Sequence, residues 1–210
     1  MIDPSRKCRV ANVHYNLLYS SAVIDDLLKY PNIRVACLYA DYKDQTNQTL
    51  VHILGSFLRQ FLTNAPEPIP DEIIQKLDDI QYRGKKVDTG DNLALLKLRL
   101  HQLKYAFICI DAIDELEPKV RHQLFNVLEE LVTNNNTRIF LTGRGHVEGE
   151  VQKHFKVAQG YTVNIRASQH DIREFVRQHI KEDHYLNPDA MDTLLAKGIE
   201  DAITERSEGM

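Results

Sequence analysis

The stretch from Tyr105 to Leu116, YAFICIDAIDEL, constrains the fold of this 210-residue chain more than any other. Phe107, Ile108, Cys109 and Ile110 make an unbroken apolar run, the mark of a strand buried on both faces, and such strands belong to parallel sheets covered by helices. Asp111, Asp114 and Glu115 follow where the run stops. Three carboxylates so close in sequence repel one another unless a cation or ordered water lies between them, and magnesium carrying phosphates is the usual occupant. The same residues also suit a buried strand leading into an acidic helix N-terminus, which the helix dipole favours. On these residues alone both readings stay open.

A second apolar strand lies within TRIFLTGRGH, Thr137 to His146, and ends in Thr142, Gly143 and Arg144. In a doubly wound sheet, ligands bind at the carboxyl ends of the strands. Neighbouring strands ending in acid and in Thr-Gly-Arg would therefore aim opposite charges at one crevice. A guanidinium there matches phosphate oxygens bidentately and keeps its charge at any relevant pH. Taken by itself, Arg144 reads as a solvated loop arginine.

The rest of the chain alternates helical and strand patterns, which requires a parallel sheet. Val23, Ile24, Leu27 and Leu28 recur at helical spacing between Leu18 and Lys29, before Pro31. Ile33 to Tyr39 reads as a buried strand. Thr46 or Asn47 is expected to cap a helix through Leu50, Ile53, Leu54, Phe57, Leu58 and Phe61, which Ala65 to Pro70 breaks. A short helix through Ile73, Ile74 and Leu77 follows, then a polar connector from Gln81 to Gly90. Asp91 is expected to open a helix carrying Leu93, Leu96, Leu100 and Leu103. Beyond the acidic strand come a helix after Pro118, a turn at NNNT, a helix near Glu148 to Phe155 and a strand from Tyr161 to Ile165. Ser168 with Asp171 resembles a capping box for the helix through Ile172, Phe175, Val176 and Ile180. Asn187-Pro188 opens a last helical stretch through Met191, Leu194, Leu195, Ile199 and Ile203.

With 43% hydrophobic residues the chain can bury a real core, and its formal net charge of −4 gives no electrostatic reason to bind nucleic acid. Cys8, Cys37 and Cys109 are odd in number and widely spaced, the usage of reduced thiols in a cytoplasmic protein, with no disulfide or zinc framework. His101, His122, His154, His170 and His179 lie on helical patterns with no paired Cys or His at a metal-ligand spacing that excludes chance. The apolar run LLYSSAVI is short and meets Asp25 and Asp26 at once, which speaks against a signal peptide or a membrane span.

From about Ser20 to Met210 the chain resembles the NACHT-type module of the STAND class of P-loop NTPases, specifically the nephrocystin-like N-terminal domain of large fungal signalling proteins. The segments that carry the resemblance are SSAVIDDLL, YADYKDQTNQTLVHILGSFLRQ, IPDEIIQKL, the acidic strand end, LTGRGH and SQHDIREFVRQHI. It implies a parallel α/β sheet flanked by helices over 18–166 and the start of a helical subdomain over 167–210. By motif position it implies that Asp111 helps hold magnesium, that Asp114 and Glu115 support hydrolysis, and that Arg144 with Thr142 senses the γ-phosphate of ATP or GTP. Partners would be other proteins or further copies of the module, with no nucleic acid and no membrane.

The chain departs from the family at one motif. The family's glycine-rich loop, G-x-x-G-x-G-K-[ST], would fall on Val10 to Leu17, which read VANVHYNL. Asn16 and Leu17 stand where the lysine and the magnesium-binding hydroxyl belong, and the first glycine of the chain is Gly55. No left-handed loop of backbone amides can wrap a triphosphate before the acidic strand. Residues 1–17 therefore replace the family's first strand and phosphate loop. The expectation is a fragment of a signalling NTPase module that binds and hydrolyses no nucleotide and needs no cofactor. The alternative is a competent ATP- or GTP-dependent switch whose loop is missing through an incomplete gene model.

Overall fold

The computed structural model describes residues 17–63, 68–84, 86–133, 136–155, 163, 169–186 and 192–206. The replaced loop before Leu17, the cap at Ser168 and the Asn187-Pro188 opening lie outside the described residues, as does the strand at Tyr161 to Ile165 apart from Val163. The chain divides into two compact units, Met1–Asn164 and Ile165–Met210.

In the first unit, β1 (Ile33–Tyr39), β2 (Tyr105–Asp111) and β3 (Thr137–Leu141) form a parallel sheet in that order. Cys37 stands opposite Cys109, and Ile110 opposite Leu141. Side chains alternate across the sheet, so each face builds its own core. Ala36, Ile108, Ile110, Ile139 and Leu141 meet α2 (Leu50–Thr63), α4 (Thr89–Gln102) and α5 (Pro118–Val132) on one side. On the other, Ile33, Val35, Phe107 and Cys109 pack under Ile24 and Leu27 of α1 (Leu17–Leu28). Burial on both faces is what the unbroken apolar runs required.

Two polar side chains fasten this layer. Gln60 of α2 accepts from the Cys37 amide at 2.8 Å and donates to the Cys37 carbonyl at 2.9 Å, so it satisfies the edge of β1 that faces away from β2. Arg99 of α4 is 1% exposed, and its Nε donates to the Phe61 carbonyl at 3.0 Å.

Two helix starts and one helix end differ from expectation. α2 begins at Leu50, because a 3-10 turn at Tyr42–Asp44 intervenes and Asn47 donates to Asp44 at 2.7 Å rather than capping. α3 (Asp71–Tyr82) is 12 residues long, entered from Pro70, which shortens the connector after it. α4 begins at Thr89: Asp88 is the cap and accepts from the Asp91 amide at 2.9 Å, while Asp91 returns the bond as the other half of a capping box. α6 (Glu148–His154) closes the unit's described helices.

In the second unit, α7 (Gln169–Leu186) and α8 (Thr193–Arg206) are joined by Arg177, which lies 3.0 Å from Glu200 and 3.0 Å from Glu174. No helix among the described residues is long and apolar enough to cross a membrane.

Candidate functional site

The carboxyl ends of the three strands meet around Asp111. Its Oδ1 accepts from two hydroxyls, that of Thr142 at the end of β3 and that of Ser20 on α1. Ser20 is 1% exposed, Thr142 4% and Asp111 9%, so the three form a buried polar knot between apolar layers. Leu17 was expected to stand where a hydroxyl would meet the acid. The hydroxyl is supplied instead by Ser20, one helical turn further on, and residues three apart share a helix face. That spacing is the sequence signal that could have identified Ser20.

Beyond Asp111 the backbone turns sharply. Ala112 takes the left-handed conformation, φ 54° and ψ 47°, and a single 3-10 turn follows at Ile113–Glu115. Thr142 holds this turn: its Oγ1 accepts the Ala112 amide at 2.9 Å and its carbonyl accepts the Ile113 amide at 2.9 Å. Gly143 lies against the turn so closely that a Cβ there would sit 2.9 Å from Ile113 Cγ2 and 3.2 Å from Asp114 Oδ1.

The turn parts the three carboxylates that the sequence was expected to bring together. Asp114, with only 5% of its side chain exposed, accepts the Arg144 amide at 3.1 Å and lies 3.6 Å from the Arg144 Nε. Glu115 accepts the Tyr42 amide at 3.3 Å, and its carbonyl accepts from Gln45 at 3.4 Å. The loop after β1 is thereby tied to the acidic turn. Each acid has its own protein donor, which offsets their mutual repulsion. Among the described residues, no group of three His, Cys, Asp or Glu side chains is arranged to hold a metal ion.

Arg121 of α5, which sequence reading did not single out, anchors the same turn from below. Its Nη1 donates to the carbonyls of Asp114 at 3.4 Å and Leu116 at 3.2 Å. Its Nε and Nη2 grip Glu150 of α6 at 2.8 and 3.1 Å. The Arg121 hydrogen bond holds the Glu150 carboxyl below its ordinary value. Tyr39, opposite Asp111 in register, has its phenol raised by burial first and then by neighbouring negative charge.

A magnesium ion takes near-octahedral oxygen ligands, from one or two carboxylates, waters and substrate phosphates. The described residues offer it Asp111 beside Ser20, with the Asp111 Oδ1 already accepting two hydroxyls. Arg144, 73% exposed along its side chain, is a cation at this end of the sheet, and Asp114 engages it.

Residues 18–144 match the family model described as Nephrocystin 3, N-terminal. No curated protein matches the chain in sequence. Among solved structures, the Aeropyrum pernix ORC1 protein in complex with DNA is similar at a TM-score of 0.50 and 13% identity, over 83% of this chain and 44% of that one. A chain of Drosophila ORC bound to poly(dA/dT) DNA and Cdc6 is similar at a TM-score of 0.50 and 9% identity, over 97% of this chain and 36% of that one. The chain thus spans less than half the length of either structure. At such identities the likeness shows the fold alone, a parallel α/β sheet flanked by helices of the P-loop NTPase type.

Proposed function

Because the chain belongs to the Nephrocystin 3, N-terminal family, we propose that it is an NTPase-like module that binds no nucleotide and acts through protein contacts or self-association in a NACHT-type signalling role. The observation that carries this reading is the engagement of every acid and of the arginine at the strand ends by protein groups. Asp111 is held by Ser20 and Thr142, Asp114 by Arg144, and Glu115 by the Tyr42 amide. Catalysis of phosphoryl transfer in P-loop NTPases depends on a cradle of loop amides and a lysine. The sequence at Val10 to Leu17 has neither a glycine nor a lysine. With their contacts made to protein groups, Asp114 and Glu115 take no hydrolytic role in this reading.

The net charge of −4 supports protein partners over nucleic acid.

A second reading is favoured by one contact. Ser20 and Asp111 place a hydroxyl beside a carboxylate, the two ligand types through which this class holds magnesium. A competent ATP- or GTP-dependent switch would use that pair, with Thr142 and Arg144 at the γ-phosphate.

Calorimetric titration of the folded chain with Mg-ATP and Mg-GTP separates the two. The first reading expects no heat. Micromolar binding that disappears in Asp111→Asn, with the variant still unfolding cooperatively, overturns it in favour of the switch.

A further inference from the structure

Cys37 and Cys109 are free thiols on neighbouring strands and are partners in the β1–β2 register. Adjacent strands run about 4.8 Å apart, within the Cα separation of about 4.4–6.8 Å that a disulfide spans. Register partners project to the same side of a sheet, and both cysteines belong to the cluster beneath α1. Their thiols are hydrogen-bonded to one another, which lowers the Cys37 thiol from its ordinary value. Their access differs: Cys37 is half-buried, whereas Cys109 is 2% exposed. The Gln60 amide grips both backbone groups of Cys37 and fixes it in the strand.

We propose that Cys37 and Cys109 form a peroxide-oxidisable pair, in which the accessible Cys37 attacks and the buried Cys109 resolves, closing a reversible cross-strand disulfide. The Cys37 sulfur attacks one oxygen of hydrogen peroxide and the O–O bond breaks. The departing hydroxide takes the thiol proton and leaves as water, and Cys37 becomes a sulfenic acid. The Cys109 sulfur then attacks Cys37 Sγ, the S–O bond breaks, and hydroxide leaves with the Cys109 proton as a second water. Two thiols and one peroxide give one disulfide and two waters, the two electrons passing from sulfur to the peroxide. The pairing needs no unfolding, because the strand register has already placed the two sulfurs together. A disulfide with one sulfur accessible is open to thiol exchange, so the product returns to thiols with mild reductant. The bond would lie on the same face of β2 as Asp111, two residues away, and would tie the edge strand to the centre of the polar knot.

The test exposes the folded full chain to one equivalent of hydrogen peroxide, blocks remaining thiols with N-ethylmaleimide and maps the peptides by mass. The expected product is the Cys37–Cys109 linked peptide, reversed by dithiothreitol, with Cys8 still carrying maleimide. Cys37→Ser should abolish the linkage. Cys109→Ala should leave Cys37 as a sulfenic acid that dimedone traps, which keeps the assignment testable should one variant fold poorly. Oxidation of Cys8 ahead of Cys37 overturns the proposal, as does persistence of both thiols. So does an equal yield of the linked peptide from chain unfolded in guanidinium, since the pairing would then owe nothing to the register.

Discussion

Ser20 of α1 donates its hydroxyl to the Oδ1 of Asp111 at the end of β2, joining two residues 91 positions apart in sequence. The contact crosses the layer between helix and sheet at a point where both partners are buried. A hydrogen bond to a charged group is worth about 1.5–3 kcal/mol net, and an orphaned buried acceptor costs a similar amount. Ser20→Ala should therefore destabilise the chain by about 1–2 kcal/mol, with Thr142 still serving Asp111. Asp111→Asn should cost more, because two hydroxyls lose their acceptor charge together. In a double-mutant cycle by urea denaturation, a coupling energy below about 0.5 kcal/mol would show that Ser20 and Asp111 act independently.

The elements that the sequence announced are those whose signal is continuous. Ile33–Tyr39 and Tyr105–Asp111 are apolar runs bounded by turn residues, and both strands fall where the pattern put them. Helix starts were less legible, because a cap depends on which of several polar residues the incoming chain presents. Asp91 and Asp88 are equally good caps by type; the path of the connector selected Asp88 and left Asp91 as its reciprocal partner. The separation of Asp111, Asp114 and Glu115 was hidden for another reason. It follows from a left-handed residue at Ala112, and alanine gives no warning of that conformation. Ser20 was masked by the expectation that a magnesium-binding hydroxyl would lie at Leu17, although its i+3 position on the same helix was readable.

Ala112 is the one non-glycine residue with positive φ among the described residues. A left-handed residue with a Cβ costs roughly 1–2 kcal/mol, and glycine removes that strain while adding about 0.5–1 kcal/mol of unfolded-state entropy. Ala112→Gly should consequently stabilise the chain slightly, by about 0.5–1 kcal/mol, a rise of roughly 1–4 °C in Tm for a chain of this size. Calorimetry that finds a lower Tm would mean that the alanine methyl contributes packing worth more than the strain.

Gly143 gives the opposite expectation, for steric rather than conformational reasons. A methyl added there meets Ile113 Cγ2 at 2.9 Å, Asp114 Oδ1 at 3.2 Å and Val147 Cγ2 at 3.3 Å. Ile113 and Val147 are each 1% exposed and have little room to withdraw. Overpacking of this kind costs typically 1–3 kcal/mol. Gly143→Ala should lower stability by that amount and loosen the Asp114–Arg144 contact, seen as faster amide exchange at Arg144. Unchanged stability would show that the acidic turn can move away from β3.

Arg121 and Glu150 fasten the acidic turn to α6, and their contribution should depend on pH in a defined direction. The Arg121 hydrogen bond lowers the Glu150 pKa from its ordinary value of 4.5. The folded state thus holds the carboxylate more tightly than the unfolded chain does. A depressed folded pKa adds stability that is fully present above 4.5 and is lost as pH falls below it through the folded value. Glu150→Gln removes the ionisation while keeping the shape, so its stability should lack this component at every pH. The difference between wild type and variant, followed by urea denaturation, should be level at neutral pH and shrink toward zero in acid. Arg121 itself is 7% exposed along its side chain, against 47% for Glu150, so solvent screens the pair from one side only. Arg121→Met should be the more damaging change, because it also removes the donors to the Asp114 and Leu116 carbonyls. A difference between wild type and Glu150→Gln that grows in acid would mean that Glu150 is strained by its neighbours and that Arg121 holds the turn without it.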